Sequence, residues 1–147
     1  MLRPLVAFFA VATLAACQKP GSRTLDVTGV WVRLAAVPDR PGAAYFKLVG
    51  GETPDRLIAV ESPKVATIEL HAGGMEGGMM TMKPMSGADV PAKGQTVFAP
   101  GGNHAMLFGV DPSIQRGGAL PLTFRFQSGK ALKANAAVYA AGDMAPE

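Results

Sequence analysis

The stretch "ATIELHA", Ala66 to Ala72, alternates. Thr67, Glu69 and His71 are polar, and Ile68 and Leu70 between them are apolar. A period of two puts one set on a buried face and the other in water, which is the signature of a half-buried β-strand. The same pattern returns in "LPLTFRFQS" (120–128), where Leu122, Phe124 and Phe126 alternate with Thr123, Arg125 and Gln127. Helical periodicity is missing: no apolar i, i+3, i+4 run lasts three turns without Gly or Pro. The 18 glycines and 12 prolines are scattered, and they punctuate the chain at intervals that suit short strands. Further strands are expected at "GVWVRLA" (29–35), "AAYFKLVG" (43–50), "DRLIAVES" (55–62), "GMMTMKPM" (78–85), "QTVFAP" (95–100), "HAMLFGV" (104–110) and "KANAAVYAA" (133–141). Eight or nine short strands in one domain predict an all-β sandwich or Greek-key barrel. A single helical turn is expected around Asp111 to Gln115.

The bulk numbers bound the function. The chain has 147 residues, enough for one domain with a real core. Its formal charge of +3 is mild and spread along the chain, with no basic run or stripe interleaved with aromatics, so nucleic acid is not an expected partner. The N-terminus, "MLRPLVAFFAVATLAACQKPGSR", has Arg3 followed by an almost wholly apolar segment from Leu5 to Ala16. About 12 residues is too short to span a bilayer and fits a secretory signal peptide. "LAAC" at 14–17 resembles a bacterial lipobox, with Cys17 the lipidated first residue of the mature protein and an ordinary signal peptide the alternative. The expected organisation is a signal peptide at 1–16, a lipidated Cys and tether at 17–26, the β-domain at 27–142 and a short tail at 143–147. Cys17 is the one cysteine, so no disulfide forms within the chain.

From the end of the opening strand runs "HAGGMEGGMMTMKPM" (71–85), with Met75, Met79, Met80, Met82 and Met85 among four glycines. Farther on, His104 and Met106 lie two apart on a predicted strand, so both point to one face. The chain has only two histidines, and each stands beside methionines at a predicted strand end. A ligand set of His71, one methionine from 75–85, His104 and Met106 would combine soft, neutral thioethers with imidazoles and favour Cu(I). Zinc usually takes thiolate, imidazole or carboxylate, and calcium and magnesium take oxygens. A blue-copper centre needs a cysteine ligand. The competing reading is packing, since methionine is a common core filler, and for Met85 and Met144 core filling or plain exposure is expected. Met75, Met79 and Met80, in or beside a glycine loop read as mobile, are auxiliary candidates for touching metal. No Gly-x-Ser-x-Gly elbow surrounds Ser62, Ser86, Ser113 or Ser128, and an enzyme is not expected.

The region 71–110 resembles the PCuAC family of periplasmic copper chaperones, whose signature is His-x10-Met-x21-His-x-Met. His71, Met82, His104 and Met106 match every spacing. The flanking "ELH" (69–71), "MKPM" (82–85), "PAKGQTV" (91–97) and "PGGNHAMLFGV" (100–110) agree, as do "VWVR" (30–33) and "GAAYFKL" (42–48) upstream. The resemblance implies a cupredoxin-like Greek-key β-sandwich, with Met82 as the ligand from the 75–85 methionines. It implies Cu(I) as cargo, passed to a cytochrome c oxidase subunit at its CuA centre or to another copper chaperone. Ala72 stands where many members carry a second methionine, and the tail "AAGDMAPE" lacks the His and Met residues of members with a second copper site. A lipid anchor would hold the protein at a periplasmic membrane surface. Gln18 after Cys17 points to outer-membrane sorting, whereas an oxidase partner favours the inner membrane, and both stay open. Copper storage or tolerance, and a metal-free structural or adaptor lipoprotein, are the alternative functions.

Overall fold

A computed structural model of the chain describes residues 21–146. The expected signal peptide, Cys17 and the start of the tether lie outside the described residues. Ten strands follow in order: β1 (Asp26–Arg33), β2 (Gly42–Val49), β3 (Asp55–Glu61), β4 (Val65–Glu76), β5 (Met79–Pro84), β6 (Ala88–Val90), β7 (Gln95–Phe98), β8 (His104–Val110), β9 (Ala119–Phe126) and β10 (Ala131–Tyr139). The fold is all-β, as the alternation predicts, with ten strands in place of eight or nine. The extra one, β6, has three residues, Ala88, Asp89 and Val90, too few to display a period. The helical turn expected at 111–115 is a tight turn closed by Ile114 N–H donating to the Asp111 carbonyl.

The strands form one sheet in the order β5-β4-β8-β2-β1-β10-β9-β3-β6, with β7 also paired to β2. Strand β2 is the pivot. One edge pairs with β1 along its length, and the other pairs with β8 through Gly42–Ala44 and with β7 through Phe46–Val49. The open sheet curls so that β3 lies against β4 and β6 against β7. Inside lie Phe46, Leu48, Leu57, Phe98, Leu107, Leu122, Phe124 and Phe126, all nearly inaccessible. Phe46 stacks on Phe98 at 4.4 Å between ring centroids and meets Phe124 edge-on at 4.8 Å, geometries that aromatic quadrupoles favour.

Two features place the segment 65–85. First, β4 runs through the glycines that the sequence suggested were a mobile loop. Gly73 and Gly74 pair in register with Met82 and Thr81, and only Gly77 and Gly78 form the turn. Both turn glycines have positive φ, 59° and 79°, as a two-residue type I′ hairpin requires. His71 therefore sits inside a strand and not at its end. Second, Gly73 passes close beneath the 99–102 loop. A Cβ built there would meet the Gly102 carbonyl oxygen at 2.4 Å, whereas at Gly74 only Thr81 Oγ1, at 3.9 Å, comes near.

The far end of the β4–β8 ladder is clipped by Asp111. Its backbone N–H donates to the Lys64 carbonyl at 2.8 Å, and its carboxylate accepts from Lys64 Nζ at 3.2 Å and from the Ser113 N–H at 2.8 Å. The Ser113 hydroxyl and amide, then Lys64, hold this carboxyl down at a pKa of about 2. A depressed carboxylate pKa adds stability above its unfolded value, and that stability disappears as the pH falls through about 2. Wild-type stability should thus fall between pH 4 and 2 more steeply than that of Asp111→Asn, as read by urea denaturation at each pH. At the other end, Gly73→Ala should cost about 1–3 kcal/mol by overpacking, while Gly74→Ala should change stability by less than about 1 kcal/mol. The same denaturation curves distinguish the two.

Candidate metal site

The antiparallel register of β4 and β8 sets His71 directly opposite His104 and Glu69 opposite Met106. The hairpin sets Met82 opposite Gly73 and Pro84 opposite His71. Because residues two apart share a face, His71, Met82, His104 and Met106 all lie on one side of the sheet. The other side of the same strands carries Leu70, Ala105 and Leu107 into the core. The two imidazoles are neighbours, with centroids 5.8 Å apart and planes inclined by 27°. A shallow cavity of about 220 Å³ opens beside them, and Tyr45, Gly73, Met80, Met82, His104 and Met106 are among its lining residues. Four methionines and histidines expected from sequence thus converge on one cavity. His71 stands next to His104 and does not line that cavity.

The hydrogen bonds assign a different free nitrogen to each ring. His104 Nδ1 is 2.8 Å from the Gly102 carbonyl oxygen. A carbonyl only accepts, so Nδ1 carries the proton and the lone pair is on Nε2. His71 Nε2 lies 3.1 Å from Glu69 Oε2. That contact draws the proton to Nε2 and leaves Nδ1 with its lone pair, buried and without any hydrogen-bond partner. A buried unpaired acceptor costs about 1–3 kcal/mol, and a metal ion is one partner that removes the cost. Outer-sphere acceptors that fix an imidazole tautomer are a general feature of metal-binding histidines. Among the described residues no group of three or more His, Cys, Asp and Glu side chains is placed to hold a metal. Any ion held here must draw on the thioethers.

The auxiliary methionines divide. Met80 lines the cavity; Met75 pairs with Met80 on the same face but lies beyond the cavity. Met79 pairs with Glu76 on the opposite face. Met85 is partly buried against the core, and Met144 is 89% exposed, the two environments expected for them. Sequence reasoning missed Glu69, Gly102 and Tyr45. Glu69 was within reach of it, lying two residues before His71 on the same strand face. Tyr45 was not, because its place follows from β2 pairing with β8, Ala43 opposite Met106.

The model of the LpqE-like lipoprotein family matches residues 25–138. Lxx21020 of Leifsonia xyli subsp. xyli, named as a candidate lipoprotein, is 29% identical over 123 residues, covering 82% of this chain and 74% of its own. Among solved structures, the copper-bound PCuAC domain from PmoF2 superposes with a TM-score of 0.65 at 22% identity, covering 82% of this chain and 98% of that one. Its low identity speaks for the fold alone. The solution structure of CuI-DR1885 from Deinococcus radiodurans has a TM-score of 0.60 at 30% identity, covering 87% of this chain and 88% of that one. With a family model spanning most of the chain, the protein belongs to the LpqE-like family, and it shares the fold of PCuAC domains.

Proposed function

We propose that this protein is a Cu(I) carrier that takes the ion on His71, Met82, His104 and Met106 and hands it to an acceptor protein. The observation that carries the reading is the pair of facing imidazoles. Each has one nitrogen tied to an oxygen and the other left with a lone pair, on the sheet face that also bears the two methionines. Two imidazoles and two thioethers are a neutral donor set, soft enough to prefer Cu(I) over Zn(II) or Ca(II). Copper in the structures of similar domains supports the same choice.

Hand-over, and not catalysis or electron transfer, follows from the chemistry of the set. It holds no thiolate to build a blue-copper centre, and the ligands are weak enough individually to be exchanged one at a time. The acceptor class implied by the family resemblance is the CuA centre of cytochrome c oxidase or another copper chaperone. The lipobox at Cys17 and the lipoprotein naming of the family and of Lxx21020 support a lipid-anchored protein at a periplasmic membrane. An anchor would keep the carrier near acceptors in or on that membrane.

The deciding experiment is an anaerobic Cu(I) titration against a chromophoric chelator. One equivalent should bind tightly, and Met82→Leu and His104→Ala should each weaken binding by about tenfold or more, since each removes one ligand. Retention of wild-type affinity by both variants would refute the ligand assignment. Affinity should also fall in acid, where protons compete with the metal for the imidazole nitrogens.

A further inference from the structure

The hairpin tip holds thioethers that the four-ligand site does not use. Met75 and Met80 are directly opposite one another across β4 and β5, and they are 66% and 63% exposed. Side chains so paired start about 5 Å apart, within reach of one shared ion. Neither is in the buried core or packs against it, so core filling does not account for them. One pair inward on the same face is Met82 opposite Gly73. Gly73 brings no side chain, and the Gly102 carbonyl fills the space its Cβ would take, so Met82 is the one thioether at this pair and stands beside the 99–102 loop. One pair further inward is His71, opposite His104 on its other side. Same-face positions along a strand are about 7 Å apart. The face therefore reads, from tip to interior, as a thioether pair, a single thioether, and two imidazoles.

Exposure follows the same order. Met75, Met80 and Met82 are all more than half exposed, whereas the His71 side chain is only 13% exposed. Met79, the fourth methionine of the hairpin, lies on the other face. Its partner there, Glu76, is held by Lys83 Nζ at 3.1 Å, so Met79 is outside the row.

We infer that Met75 and Met80, with Met82, form an outer soft-metal station at which Cu(I) rests on its way into and out of the histidine site. The inference rests on the Cu(I) reading above and adds a second, weaker position to it. Thioethers alone are soft, neutral donors. Without an imidazole they hold the ion loosely, which suits a point of transfer. Met82, reachable from both positions, passes the ion between them without releasing it to water.

The test separates rate from affinity. Methionine-to-leucine changes keep volume and apolarity and remove only the sulfur. In Met75→Leu/Met80→Leu, equilibrium Cu(I) affinity should stay within about threefold of wild type, while stopped-flow transfer to excess chelator slows by about fivefold or more. Met79→Leu should change neither. A double variant that transfers at the wild-type rate would overturn the station, as would a loss of affinity matching that of Met82→Leu, or equal slowing by Met79→Leu. A second arm titrates redox-inert Ag(I) into His71→Ala/His104→Ala and follows the methionine methyl resonances. The Met75 and Met80 methyls should still shift together, and their silence would also overturn the station. Histidine resonances unmoved by Ag(I) in wild type, with those methyl shifts retained, would refute the histidine site alone.

Discussion

The site depends on one pairing, β4 against β8 with His71 opposite His104. That register is not set by the histidines. It is set by the face they do not occupy, where Leu70, Ala105 and Leu107 are buried. A slip of one residue would turn the apolar set to water and the imidazoles into the core, so the hydrophobic effect fixes the geometry of the histidine face indirectly. The Lys64–Asp111 clip and the tight Gly77–Gly78 turn hold the two ends of the same unit. The close approach of Gly73 to Gly102 then seats the hairpin against the loop whose carbonyl orients His104.

The chemistry of the face is graded. Its interior end has imidazoles with assigned tautomers, one of them with a buried orphan nitrogen. Its outer end has exposed thioethers. Carboxylates stand behind the first row and not in it: Glu69 reaches His71 Nε2, the nitrogen facing away from the orphan. This arrangement keeps the donor set neutral and soft. A site that included Glu69 as a direct ligand would move toward harder ions. Placing the carboxylate one hydrogen bond further out orients the imidazole without changing that selectivity.

Much of this was legible in the chain. Alternation in some segments, with Gly and Pro punctuation between them, located nine of the ten strands, and "HAMLFGV" coincides with β8 residue for residue. It failed at β6, where three residues hold no period, and in "HAGGME", where glycines pointed to a loop and the backbone pairs as strand. Glycine is a poor strand former for reasons of entropy, but here pairing with β5 overrides that local preference. The same misreading made His71 a strand terminus.

By itself the sequence determined the class of fold, the candidate donors and the class of metal they prefer, because periodicity and ligand softness are local properties of residues. Its spacing matched His71, Met82, His104 and Met106 to one family pattern. Only the tertiary structure decided which nitrogen of each histidine is free, that Glu69 and Gly102 fix them, that Tyr45 lines the cavity, and that Met80 shares the site's face while Met79 does not. Those facts arise from pairings between strands up to tens of residues apart. No one-dimensional pattern encodes a register until burial on the opposite face has chosen it.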